Sequence, residues 1–223
     1  MTTTPTTKTF PEQVKSPTGA AFRKQWDACL ADPPWPKQGG EKHYDTMSLA
    51  EIQAMAPAIQ AVMKPDSWMF LWTTVGLEEL AKQILGVWGY RYENRIIWCK
   101  PNRFGFGDPR IGIRRSTEVL LVGTRGNVRS HFRSQQDWFT SPAGLHSEKP
   151  LEQWAILRRM IGPEASVLEL FARQRFPDSR HGFWGNELDR CDVSLLPWGY
   201  PVPGDFTTAP TPGGAPSPVP DEE

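Results

Sequence analysis

The stretch Trp26-Asp27-Ala28-Cys29-Leu30-Ala31-Asp32-Pro33-Pro34-Trp35 decides how this chain of 223 residues is read. Its first six residues, WDACLA, form an apolar run of the kind that a sheet buries on both faces. The run must end at Asp32, because neither proline that follows has an N–H to give to a sheet ladder. A strand therefore ends by presenting a carboxylate, a stiffened carbonyl and an indole together. Asp32 offers carboxylate acceptors, and the Pro33 carbonyl is held in direction by the next proline. Together they can accept both hydrogens of a neutral amino group, while Trp35 offers a flat face for stacking. That set suits the exocyclic amine of a base turned out of its helix. The plainer reading of the same four residues is an Asp-Pro-Pro turn with a packing tryptophan.

Working outward, strand and helix signals alternate. Ser48-Leu49-Ala50-Glu51 has capping-box spacing and predicts a helix to about Met63, kinked or split at Pro57. Residues 67–72 read as an apolar strand. Residues 77–88 read as a helix, with Leu77, Leu80, Ala81, Ile84 and Leu85 on one face. Residues 90–99 and 118–123 are further strands. Pro150 fits the first turn of a helix over 151–161, stopped by Gly162-Pro163. Residues 166–171 and 183–188 complete the series. This alternation predicts an α/β fold, a mostly parallel sheet with helices on both faces. Ligands in such folds bind outside the carboxyl ends of the strands. Asp32-Pro33-Pro34-Trp35 and the residues after Val167-Leu168-Glu169-Leu170-Phe171 both lie at such ends.

Composition bounds the alternatives. Hydrophobic residues make up 39% and charged residues 22% of the chain, enough for one good core, and the net charge of zero points to no partner. Three cysteines, Cys29, Cys99 and Cys191, form no C-x-x-C pair, which disfavours zinc and disulfides. No run approaches membrane-spanning length and the polar start has no signal-peptide core, so a cytoplasmic protein is expected. Residues 1–20 and the Pro/Gly-rich tail 200–223 read as disordered, leaving one domain over 21–199. Ten tryptophans suggest stacking surfaces as well as core.

A second constellation runs His146-Ser147-Glu148-Lys149-Pro150, then a helix, then the 166–171 strand with Arg173-Gln174-Arg175, then Phe183-Trp184-Gly185-Asn186-Glu187. Glu169 is placed either to accept from the two hydroxyls of a ribose or to form an ion pair with Arg173. Lys149 stands near a helix start, where it can hold a carboxylate or remain solvated. Asn186 and Glu187, at the end of the last strand, can hold a ribose or an adenine edge. No G-x-G-x-x-G follows any strand and no phosphate loop appears, so NAD and ATP are disfavoured. A nucleoside cofactor without phosphate fits better.

The ordered set of DPPW, Tyr44-Asp45-Thr46-Met47-Ser48 with its helix, HSEKP, LELFAR and WGNELD resembles one known family. It is similar to the mRNA-methyltransferase-A type of adenine N6-methyltransferases over about residues 26 to 190. The resemblance implies a permuted Rossmann-like methyltransferase fold and S-adenosylmethionine as cofactor. It implies that Asp32, Pro33, Pro34 and Trp35 grip the target amine and base, with Asp32 also near the methionine end of the cofactor. It places Lys149 at the cofactor carboxylate, Glu169 and Arg173 near its ribose, and Asn186 at the nucleoside. Tyr44 falls in the loop that closes over the site. Glu187 and Gln174-Arg175 depart from the Gln and His-Asn of animal members.

From Pro101 to Arg133 the chain carries seven arginines, Arg103, Arg110, Arg114, Arg115, Arg125, Arg129 and Arg133, and no lysine. Only Asp108 and Glu118 oppose them, and Phe104, Phe106 and Phe132 interleave. Arginines with aromatics supply phosphate contact and base stacking, so Arg103, Arg110, Arg114, Arg115 and Arg133 are expected to face nucleic acid. The expected function is adenine N6-methylation by direct in-line transfer without a metal, with DNA favoured over RNA. The rivals are an RNA adenosine methyltransferase, transfer to the cytosine amine, and a non-catalytic nucleic-acid-binding subunit. Monomer and homodimer stay open.

Overall fold

The structure, a computed structural model, describes residues 26–36, 46–102, 110–144, 148–176 and 178–202. β1 (Trp26–Ala31) pairs in parallel with β2 (Met63–Thr73) on one side and β6 (Val167–Leu170) on the other. β7 (His181–Trp184) extends the parallel array beyond β6. On the other flank β4 (Thr117–Arg125) runs against both β2 and β3 (Arg91–Cys99), and β5 (Trp138–Thr140) pairs in parallel with β3. The seven strands lie in the order β5-β3-β4-β2-β1-β6-β7. β4 alone is reversed, so the sheet is mostly parallel, as expected.

Both faces of β1 are covered because successive strand residues point to opposite sides. Cys29 and Ala31 join Met69, Leu71, Leu168 and Leu170 in a core under α1 (Leu49–Ala54), α2 (Ala56–Val62) and α3 (Glu78–Val87). Ala28 and Leu30 join Phe70, Trp72 and Val167 on the other face, packed against Ile156 and Leu157 of α4 (Glu152–Ile161). The capping box at Ser48 forms: the Ser48 hydroxyl accepts from the Glu51 N–H at 3.2 Å, and Glu51 accepts from the Ser48 N–H at 2.7 Å. The helix splits at Met55, which leaves Pro57 in the first turn of α2, where a missing N–H costs least.

Several boundaries differ from the sequence reading. β7 starts at His181 and ends at Trp184, so Asn186 and Glu187 sit in the turn beyond it. β5 was not expected; its three residues form a strand through pairing with Ile97, Trp98 and Cys99. At the other end of the domain, Trp198 and Tyr200 pack on the first core and Val202 is buried in it, past the expected boundary near 199. The tryptophans serve mainly as core. Trp26, Trp35, Trp68, Trp72, Trp88, Trp98 and Trp184 are buried, while Trp138 is 51% exposed.

Their indole N–H groups tie layers together. Trp72 donates to the Gln153 side chain of α4 at 2.8 Å, Trp88 to the Ile52 carbonyl at 2.9 Å and Trp98 to the Ser141 carbonyl at 2.8 Å. β1, β2, β3, β6 and β7 all end at one edge of the sheet, and reversed β4 begins there. That edge collects the chemistry.

Candidate active site

Asp32 follows the last residue of β1 at this edge. Beyond it the backbone folds into a three-residue turn, in which the Trp35 N–H donates to the Pro33 carbonyl at 2.8 Å. The Pro34 carbonyl accepts from the Met47 N–H at 2.9 Å. The Pro33 oxygen keeps a second lone pair, and the turn fixes its direction. Trp35 takes a different place from the one expected. Its ring is 4% exposed, lies within the core, and its N–H donates to the Trp72 carbonyl at 2.9 Å. The indole braces the Asp-Pro-Pro turn against β2 and presents no open stacking wall.

Four charges interlock beside that turn. Lys149 donates to Asp32 Oδ2 at 2.6 Å and lies 3.4 Å from Glu118 Oε2; Lys100 bonds the same Glu118. The ammonium groups also lie over indole rings, Lys149 5.5 Å from the centre of Trp72 and Lys100 4.5 Å from that of Trp98. Burial works against the charged form of Lys149, but the two carboxylates outweigh it and hold the ammonium charged well above its ordinary range. For Glu118 burial is likewise overcome, by Lys149 and Lys100, and its carboxyl stays below the usual range. Asp32 goes the other way. Burial raises it, Lys149 offsets this in part, and the Glu118 charge adds to the rise.

Lys149 had been expected to hold a cofactor carboxylate from a helix start. It sits three residues ahead of α4, and two of its three N–H donors already point at Asp32 and Glu118. Lys100 was not singled out in the sequence, and Glu118 was read only as a counter-charge among arginines. Their signal was there: one charge closes the apolar β3 run and another opens β4, so both are placed at the site edge once β4 is known to run backwards.

The loops after β6 and β7 form the second wall. Leu30 of β1 is in register with Glu169 of β6, and Glu169 feels the Asp32 charge. Burial first, and Asp32 second, push the Glu169 carboxyl up to about 8. Two residues on, Phe171 adopts φ of 64°, a left-handed conformation that a bulky side chain rarely takes and that clusters at functional sites. Ala172 then donates its N–H to the Trp184 carbonyl at 2.9 Å, joining the two loops. A side chain at Gly185 would collide with the Ala172 carbonyl, which explains the glycine after Trp184. Arg173 pairs with Glu187 at 2.8 Å and makes no ion pair with Glu169. Asn186 lies exposed in the same turn. Two buried polar atoms at this edge, Trp184 Nε1 and Thr74 Oγ1, have no hydrogen-bond partner among the described residues.

The arginine-rich segment does not form one patch. Arg110, Arg114 and Arg115 precede β4 and lie exposed at the site edge. β4 then crosses the sheet, so Arg125, its last residue, and Arg129 beyond it lie at the opposite edge. Arg125 donates there to the Met63 and Lys64 carbonyls. Arg133 follows Phe132, whose ring lies 5.8 Å from the Arg159 guanidinium near the end of α4. The crossing thus separates Arg133 from Asp32. A cleft of about 360 Å³ between Trp68, Glu93, Arg95, Gln135 and Met160 also belongs to that remote side. Tyr44, Arg103, Phe104, Phe106 and His146 lie outside the described residues.

With this geometry in view, the MT-A70 family model matches residues 26–187, from β1 through the β7 turn. The chain belongs to the MT-A70 family. It is similar to an N(6)-adenosine-methyltransferase MT-A70-like protein of Arabidopsis thaliana, 34% identical over 168 residues, which is 72% of this chain and 23% of the relative. The N(6)-adenosine-methyltransferase catalytic subunit METTL3 of Homo sapiens is 30% identical over 165 residues, 72% of this chain and 28% of that one. The type II methyltransferase M.MunI of Mycoplasma sp is 27% identical over 225 residues, 86% of this chain and 84% of the relative. The chain thus spans about a quarter of the length of the plant and human relatives.

MT-A70 methyltransferases use S-adenosylmethionine as methyl donor. The residues present fit such a group. An acidic strand end at Glu169 and an unpartnered buried indole N–H at Trp184 are polar groups of the kind that a nucleoside's hydroxyls and ring nitrogens would meet, and Gly185 lets the two loops that carry them close together. Among the described residues no cluster of three or more His, Cys, Asp or Glu is set to hold a metal ion, and no helix is long and apolar enough to cross a membrane.

Proposed function

We propose that this chain methylates the exocyclic N6 amine of adenine in nucleic acid, with DNA as the polymer. The observation that carries the reading is the Asp32–Pro33 acceptor pair, held rigidly at the end of β1 beside Glu169. Bound S-adenosylmethionine supplies an electrophilic methyl group. The protein supplies the rest by position.

An adenine amine is a poor nucleophile because its lone pair is spread into the ring. A hydrogen bond from one N–H to the Asp32 carboxylate and another from the second N–H to the Pro33 carbonyl orient the amine and concentrate its lone pair. The cost of orientation is met before reaction, because the γ-turn and Trp35 already hold both acceptors. As nitrogen gains positive charge, the Asp32 carboxylate stabilises it electrostatically. It then accepts the surplus proton, a task helped by its raised pKa. Lys149 holds Asp32 Oδ2 and keeps the carboxylate from turning away. Glu169 and the Gly185 turn hold the nucleoside.

DNA is supported by the match to a type II methyltransferase across most of both chains. The higher identity to proteins named as N(6)-adenosine-methyltransferases favours RNA as the second reading. The test is methylation of matched DNA and RNA oligonucleotides with labelled cofactor, followed by nucleoside digestion. N6-methyladenine in DNA is expected. Label in RNA alone reverses the choice of polymer, and label on cytosine changes the acceptor. Cofactor titration by calorimetry separates an enzyme from a silent subunit, which would give no heat of binding.

A further inference from the structure

The chain enters β4 through Arg110-Ile111-Gly112-Ile113-Arg114-Arg115, and both isoleucines are exposed, Ile111 at 64% and Ile113 at 66%. A single exposed isoleucine calls for no explanation. Two of them one residue apart, enclosed by three arginines on the approach to the site, do.

Gly112 between them has φ of +66°, a tight bend suited to glycine, and a side chain built there would meet nothing within 4 Å. The tip of the bend therefore opens away from the described residues, while the Ile113 backbone makes a β-bridge. Its base is fixed. A Cβ at Gly76, in the turn after β2, would lie 3.3 Å from both terminal nitrogens of Arg115, so the guanidinium packs against that turn. Glu118, bound to Lys149 and through it to Asp32, follows shortly after. Five residues of extended chain from Ile113 to Glu118 span at most roughly 17 Å.

A protein partner would need a broader apolar surface than two side chains. Arginines flanking small apolar wedges instead match what nucleic-acid binders insert between base steps, apolar side chains with cations on the phosphates. An enzyme that draws a paired base out of a duplex must meet the cost of unstacking it.

We propose that Ile111 and Ile113 form an apolar wedge that enters a duplex at the vacated base step, with Arg110, Arg114 and Arg115 on the flanking phosphates. Double-stranded nucleic acid is then the substrate class. This inference rests on the methyltransferase reading above.

The test uses the full chain and the double variant Ile111→Ser/Ile113→Ser, with Ile111→Leu/Ile113→Leu as the conservative control. Three substrates are compared: a duplex with the target adenine paired, the same duplex with an abasic site opposite the adenine, and the single strand. The serine variant should lose about tenfold or more in kcat/KM on the paired duplex and far less on the other two, where extrusion is already favoured. The leucine variant should keep activity on all three. With 2-aminopurine at the target position, wild type should raise the fluorescence and the serine variant should not.

An equal loss on all three substrates, no loss on the paired duplex, or an unchanged 2-aminopurine signal overturns the wedge. So does a wild type that methylates the single strand and leaves the duplex untouched. A wild type inactive on all three substrates instead overturns the methyltransferase reading.

Discussion

Glu169 shows at the scale of one residue how the site opposes the fold. Its carboxyl, pushed up to about 8 by burial and by Asp32, keeps a proton near neutral pH in the free protein, whereas an unfolded chain gives that proton up near 4.5. Between those values the native state binds more protons than the unfolded one, so this residue makes stability fall as pH rises, with the full cost reached above about 8. Glu169→Gln removes the titration. The variant should gain melting temperature relative to wild type, more at pH 8.5 than at pH 5, in paired thermal melts; a gain that does not grow with pH refutes the assignment. The same residue gives cofactor binding a pH dependence. Ribose hydroxyls donate to a carboxylate, so binding must release the Glu169 proton, and affinity should rise with pH until about 8 and then level. Calorimetry in buffers of different ionisation heat reads the released proton directly. Glu169→Gln should bind more weakly and lose the dependence, and a wild-type affinity flat between pH 6 and 9 would contradict the role.

Elements place these residues, and the paired loops after β6 and β7 are the element that matters most for the cofactor. Gly185 admits the Ala172 carbonyl where any side chain would collide with it. Gly185→Ala must therefore part the Ala172–Trp184 contact, at a cost of about 1–3 kcal/mol in denaturant melts, with cofactor affinity down about tenfold. Stability and affinity both unchanged would show that the loops are not coupled. Much at this scale was legible in the sequence. β1 announced itself by an apolar run ended by prolines, the first helix by its capping box, and the end of α4 by Gly162-Pro163. What stayed hidden depends on tertiary pairing. Trp138-Phe139-Thr140 has no strand pattern of its own and is recruited by the end of β3. The sense of β4 cannot be read from Glu118-Val119-Leu120-Leu121-Val122-Gly123, and so Glu118 looked like a counter-charge in a basic segment. Trp35 misled for a related reason. Local chemistry offers its indole to a ligand, but the Trp72 carbonyl, 37 residues away, takes its N–H.

At the scale of the molecule, the sheet edge is joined by one charge network that links the end of β1, the end of β3, the start of β4 and the approach to α4. Removing its centre by Lys149→Ala leaves Asp32 and Glu118 facing one remaining ammonium in a recessed site. The fold should lose about 3 kcal/mol, read by denaturant unfolding, and a loss under about 1 kcal/mol would mean that water replaces the lysine freely. Methyl transfer should fall with it, because Asp32 loses the partner that holds its Oδ2. The central claim concerns that carboxylate. It is tested most directly by single-turnover methyl transfer from labelled cofactor to an adenine-bearing oligonucleotide, comparing wild type with Asp32→Ala and measuring cofactor binding to both. The account predicts that transfer by Asp32→Ala vanishes while cofactor binding persists at least in part; transfer at the wild-type rate would contradict it.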